Sequence, residues 1–183
     1  MTRNNCFIFT GAMGAGKSAV LGHSRRMNHA CIDDPARQIL EEQRSIHGNG
    51  VPEKDPSLFI QLMLSRAICL FKGISEVKDF VVFDRGIPDM IAYAELFGID
   101  KALYERAATK YTYNTKVFYF AGRREIYVLD DERRMDFDSA RRFGENVMRI
   151  YKELGYGITE VPLIGIEGRA QFIIDVIEKE SID

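Results

Sequence analysis

Two hydrophobic patterns alternate along this chain. Short unbroken apolar runs occur at Phe7-Ile8-Phe9, Ala30-Cys31-Ile32, Phe80-Val81-Val82-Phe83 and Val117-Phe118-Tyr119-Phe120. Between them lie longer stretches in which apolar residues recur every three or four positions. The short runs suit strands buried on both faces, and the longer ones suit helices packed by one stripe. Helices are predicted over about 16–28, 36–46, 57–72, 88–97, 101–110, 139–154 and 167–180, with Ile158–Ile164 as a further strand. Punctuation agrees: Pro35 suits a first helical position after an acidic N-cap, and Gly155 suits a helix stop. His47–Pro56 is rich in breakers and is the best mobile-loop candidate of the first half. Strands alternating with helices predict an α/β fold in three layers, a parallel sheet of about five strands with helices on both faces. No repeat, linker or low-complexity tract interrupts the pattern, so residues 1–183 are expected to form one domain.

Composition narrows the classes of partner. The chain has 183 residues, 46% apolar and 28% charged, enough for a full core. A net charge of −2 gives no electrostatic case for nucleic acid or a membrane surface. The longest apolar stretch, around Leu58–Phe71, is broken by Gln61, Ser65 and Arg66 and is too short and polar to span a bilayer. Cys6, Cys31 and Cys69 lie in apolar surroundings without metal-type spacing and read as reduced core thiols. Met1–Asn5 leads directly into the first strand with no leader pattern. The expectation is a soluble cytoplasmic protein; nothing in the sequence bears on its oligomeric state.

The first apolar run ends in Thr10-Gly11-Ala12-Met13-Gly14-Ala15-Gly16-Lys17-Ser18-Ala19. Here G-x-x-x-x-G-K-[ST] stands between a strand and a helix, the context that a phosphate-binding loop requires. Gly11, Gly14 and Gly16 permit positive φ and a close approach of backbone to an anion. The loop N–H groups and the helix N-terminus face phosphates, Lys17 adds a point charge, and the Ser18 hydroxyl can ligate Mg²⁺. Residues Gly11–Ala19 are therefore expected to bind a nucleoside triphosphate.

Two other strands also end in reactive groups, and ligands of open parallel sheets bind at the carboxyl ends of strands. Asp84 follows four apolar residues, as a second Mg²⁺ ligand beside Ser18 would. Arg85 stands next to it, where a hydrolytic motor needs a water-activating Glu. The Asn-Lys-x-Asp signature of guanine-specific proteins is also missing; both absences favour transfer to a bound acceptor. Asp33-Asp34 closes the second strand, where a carboxylate could accept the acceptor hydroxyl's proton; Asp34 is preferred over Asp33, with plain helix capping the alternative. Arg37 could contact an acceptor or clamp Asp34. Gln61 and Arg66 either line a polar pocket in an otherwise dry helix or belong to a thin solvated stripe with Ser57 and Ser65. The charged segment 121–138 reads as a lid or as a solvated run of charge. As a lid, it would deliver Arg123, Arg133 and Arg134 to the transferring phosphoryl group, with Arg124 and Arg141 behind them; Asp130, Asp131 and Glu132 would hold those arginines when open.

The ordered set Gly11–Ser18, Asp33-Asp34-Pro35-Ala36-Arg37-Gln38-Ile39, Phe83-Asp84-Arg85-Gly86-Ile87-Pro88-Asp89, Tyr113-Asn114 and Glu125-Ile126-Tyr127 with Asp131-Glu132-Arg133-Arg134 resembles a small bacterial P-loop family. Its members carry the label predicted ATPase or AAA domain. The likeness covers nearly the whole chain, and its branch is that of the nucleoside and nucleotide kinases. The acidic-x-Ala-Arg element is also similar to nicotinamide riboside kinase domains. The resemblance implies a nucleotide-kinase-like fold with Lys17, Ser18 and Asp84 at ATP–Mg²⁺, Asp34 near the acceptor and Arg133 in the lid. Two positions depart from the family: Asp34 replaces the expected Glu, and Ala121-Gly122-Arg123 replaces prolines and an aromatic. The resulting expectation is transfer of the γ-phosphoryl group of ATP to a small hydroxyl-bearing acceptor, a nucleoside, nucleotide or nucleoside-like metabolite. An ATPase driving a conformational switch and a non-catalytic ATP sensor are the competing readings.

Overall fold

The computed structural model describes residues 1–74, 80–124 and 135–180. Five strands, β1 (Cys6–Gly11), β2 (Ala30–Ile32), β3 (Val81–Asp84), β4 (Lys116–Phe120) and β5 (Gly157–Glu160), form one sheet. Their order is β2-β3-β1-β4-β5 and every pairing is parallel. The crossovers run through α1 (Lys17–Arg26), α2 (Ala36–Ser45), α3 (Pro56–Gly73), α4 (Asp89–Leu96), α5 (Ala102–Lys110) and α6 (Phe137–Glu153), and α7 (Ile166–Glu180) closes the chain.

Strand periodicity decides which helix covers which face. Phe7 and Phe9 of β1, Val82 of β3, and Phe118 and Phe120 of β4 share a buried cluster with Val20 and Leu21 of α1 and Ala170, Ile173 and Ile177 of α7. The alternate positions, Cys6, Ile8, Val81, Phe83 and Val117, pack against residues of α2 through α6. This gives the expected three layers, with both faces of the parallel sheet covered.

Most differences from the sequence reading are local. β5 stops at Glu160 rather than reaching Ile164, although Val161 N still donates to Tyr119 O at 2.9 Å. Pro162 follows and has no N–H to extend the ladder. α6 starts two residues early because Asp136 caps it through Ser139 N at 2.9 Å. The breaker-rich connection 47–56 is pinned: Val51 is buried, Gln43 accepts from Gly50 N, and Asp55 caps α3 through Leu58 N. Of the three cysteines only Cys6 is fully buried; Cys31 is half-buried and Cys69 is exposed on α3, which corrects the expectation of three core thiols. Among the described residues no helix is long and apolar enough to cross a membrane.

Candidate active site

Construction of the site begins where β1 leaves the sheet. Gly11 has φ +119°, and a Cβ there would lie 2.3 Å from the Phe120 carbonyl oxygen, so only glycine lets the loop turn against β4. Gly14 and Gly16 also have positive φ, and Gly16 in the left-handed conformation starts α1. On its far side the loop is braced by α6, where Gly144 lets that helix approach the Ala12 backbone; a Cβ at 144 would stand 2.7 Å from Ala12 N.

Lys17 is only 6% exposed and donates from Nζ to Ala12 O at 2.7 Å. Burial, and then the Arg85 charge, push its pKa down to about 7. Ser18 Oγ donates to Asp84 Oδ2 at 2.9 Å. The other oxygen, Asp84 Oδ1, is buried without a hydrogen-bond partner among the described residues. A buried carboxylate oxygen left unpaired is costly unless something positive meets it. Asp84 and Ser18 could therefore hold Mg²⁺, a hard cation that takes one or two carboxylates and completes its shell with phosphates and water.

Beside this pair lies a buried chain of charges. Asp34 divides its carboxylate: Oδ1 accepts from Ala36 N at 3.0 Å, and Oδ2 lies 3.3 Å from Arg85 Nε. Burial pushes its pKa up to about 6, with the Arg85 charge acting against that rise. Arg85, at φ +67°, passes under the loop, donates to Gly11 O at 3.4 Å and to Asp89 Oδ1 at 2.8 Å, and lies over the Tyr93 and Phe143 rings. Asp89 is 0% exposed and has four donors: Thr10 Oγ1, Arg85, Gly86 N, and Tyr151 O–H at 2.6 Å. Burial, and then the neighbouring Asp89, hold the Tyr151 hydroxyl well above its ordinary pKa, so it remains a donor.

A cleft of about 750 Å³ collects most of the expected residues: Met13 through Ala19, Asp33, Asp34, Arg37, Asp84 and Arg85. Gly11 and Ala12 form the root of the loop beneath it. Asp33 borders the cleft but turns outward, its side chain 70% exposed and paired with Arg25 at 2.8 Å. Gln61 and Arg66 do not reach the cleft, which corrects the polar-pocket expectation. Gln61 is exposed beside Ser57, and Arg66 crosses to Glu42 of α2 at 2.9 Å, so the stripe is a solvated helix–helix seam. Arg124 pairs with Asp138 at 3.5 Å over the Phe137 ring, and Arg123 adds its charge near Arg169. Arg141 is exposed on α6, paired with Glu145 and away from the cleft, while Arg133 and Arg134 with Asp130, Asp131 and Glu132 lie outside the described residues. Sequence reasoning missed Asp89, Tyr93 and Arg169. Asp89 had a readable sign, a carboxylate opening an otherwise apolar helix; Arg169 had none, since Ala15, its hydrogen-bond partner, lies 154 residues away.

Residues 6–169 match the model of the family described as AAA domain. Among solved structures, deoxyadenosine kinase from M. mycoides with dCMP and dCDP bound superposes with TM-score 0.68 at 13% identity, covering 95% of this chain and 99% of that one. The NadR protein in complex with NR gives TM-score 0.64 at 17% identity over 95% of this chain and 50% of that chain. Thymidylate kinase from Candida albicans gives 0.63 at 16% identity, covering 98% and 93%. No curated protein sequence matches the chain. At such identities the superpositions speak for the fold alone. The family match, in contrast, runs through the phosphate loop and both acidic strand ends to Arg169, and the chain therefore belongs to the AAA domain family, folded as the P-loop nucleoside and nucleotide kinases are.

Proposed function

We propose that this protein transfers the γ-phosphoryl group of ATP to the hydroxyl of a small, nucleoside-like acceptor. The observation that carries this reading is Asp34, a carboxylate anchored through both oxygens in the same cleft as Lys17, Ser18 and Asp84. The loop N–H groups and Lys17 would orient the triphosphate, and Ser18 and Asp84 would hold Mg²⁺, which would supply neutralisation of charge on the phosphoryl oxygens. The acceptor oxygen attacks the γ-phosphorus, the bond to the β,γ-bridging oxygen breaks, and the acceptor proton passes to Asp34. Arg85 keeps Asp34 fixed and, shared between two carboxylates, has no means of activating water. A phosphate acceptor carries no proton that needs removing and would be repelled by Asp34; the site thus favours a hydroxyl. A cytoplasmic setting, with ATP and reducing conditions, suits the three free thiols.

The test is a screen of nucleosides, nucleotides and riboside-like vitamins for acceptor-dependent ADP release. The expected result is release that needs one acceptor and disappears in Lys17→Ala. Steady release without acceptor would make the protein an ATPase; ATP binding with no turnover in either assay would make it a sensor.

A further inference from the structure

Arg169 sits where a cation is expensive three times over. It is 5% exposed, so its charge is largely removed from water. It lies in the first turn of α7, its N–H donating to Gly165 O at 3.0 Å, at the positive end of that helix's own dipole. Arg123 also brings a like charge close enough that, after burial, it lowers the pKa of Arg169. Against these costs stand one hydrogen bond, from Nη1 to Ala15 O at 3.3 Å, and an Nε–H with no partner among the described residues. The position is fixed, because the following residues Ala170, Ile173 and Ile177 are locked into the cluster shared with α1 and β1.

A guanidinium held in this way beside the phosphate loop, with donors left over, requires an anion. We infer that Arg169 is a ligand of the nucleotide's phosphate chain, reaching the loop from the β4–β5 side of the sheet while Asp84 and Arg85 flank it from the β3 side. The inference rests on the phosphate-loop part of the proposed function and on no assumption about the acceptor. Its planar fork matches phosphate oxygens, and its contact with Ala15 O parallels that of Lys17 with Ala12 O: both cations hold carbonyls of the loop they would serve.

Titration calorimetry on wild type and Arg169→Gln, with ATP–Mg²⁺ and with inorganic triphosphate–Mg²⁺, tests it. Glutamine retains an N–H for the Ala15 carbonyl but removes the charge. The variant is expected to bind both probes at least about tenfold more weakly, and Arg169→Lys to recover part of that loss. The unliganded Tm is recorded for each variant, so that affinities are compared only between folded proteins. Wild-type affinity of Arg169→Gln for ATP would overturn the inference in favour of a purely bracing role. Weakened ATP binding with unchanged triphosphate binding would overturn it in favour of a contact to the base. If wild type binds neither probe, the phosphate-loop reading falls and this inference with it.

Discussion

At Asp34 the sequence offered two readings, helix cap or proton acceptor; in the structure Oδ1 accepts from Ala36 N at the start of α2 and Oδ2 lies 3.3 Å from Arg85 Nε, an arrangement compatible with both. Under the proposed function, the same two contacts would hold the carboxylate in place for the acceptor. Asp34→Asn is therefore expected to abolish transfer while leaving the calorimetric Kd for ATP–Mg²⁺ nearly unchanged. Burial raises its pKa to about 6 against the pull of Arg85, with Asp84 and Asp89 adding to the rise, so kcat/KM should fall as pH drops through 6 and the carboxylate takes up a proton. A flat profile from pH 5 to 8 would remove Asp34 from the base role. Asp89 is a different kind of residue, a buried acceptor for four donors whose loss leaves Arg85 facing a hole. Asp89→Ala should cost about 3–5 kcal/mol in urea unfolding, and Tyr151→Phe about 1–3. Asp33→Asn, which breaks an exposed pair with Arg25, should cost less than about 1 kcal/mol. Gly11–Ser18 and Asp84 could be singled out because each lies in a contiguous pattern, a glycine-rich loop and an apolar run ending in a carboxylate, and the structure brings Ser18 and Asp84 together. Tyr151 and Arg169 acquire meaning only from partners 62 and 154 positions away, and no local pattern records such distances; Asp89 has near partners in Arg85 and Gly86 but also draws on Thr10 and Tyr151 from distant segments.

At the level of elements, unbroken apolar runs were the most legible feature. The central strands read as unbroken apolar runs and fell at their expected places, β1 extending beyond its run at both ends; the half-buried edge strand β2 also fell at Ala30–Ile32, whereas the other edge strand, β5, was expected too long. The Gln61–Arg66 stripe of α3 had two readings, a polar pocket or a thin solvated stripe, because in a mostly apolar helix the pattern alone does not say which way its few polar residues face. In the structure the stripe looks outward, and Arg66 reaches across to Glu42. Capping gives a direct check on how such a helix is held. Asp55 accepts from Leu58 N at the start of α3 with Pro56 behind it, and Asp55→Ala should lower the unfolding free energy by about 1 kcal/mol without altering nucleotide affinity. The Arg66–Glu42 pair, being exposed, should contribute less than about 1 kcal/mol in a double-mutant cycle.

For the whole molecule, the order β2-β3-β1-β4-β5 brings the ends of β1, β2 and β3 side by side, and three separate sequence segments become one cleft. That convergence could be anticipated from alternating strands and helices, whereas the charge chain from Asp34 through Arg85 to Asp89 could not. It also gives stability a pH signature. A carboxylate whose folded pKa is raised binds its proton more tightly in the native state, so the Asp34 contribution falls as pH climbs from its ordinary value near 4 to about 6. Asp34→Asn should flatten that limb in unfolding experiments. ATP–Mg²⁺ at about a hundred times its Kd should add about 2.7 kcal/mol, read as a raised denaturation midpoint, and Lys17→Ala should remove most of that gain. Gly144 finally supplies a rule for reading relatives. Two of the three atoms that a side chain there would strike are Ala12 backbone, so no replacement at position 12 can compensate. A homologue with a larger residue at the eighth position of this helix must have shifted the helix off the loop. The identity of that one residue thus records, in any aligned sequence, whether the phosphate loop still rests on the same support.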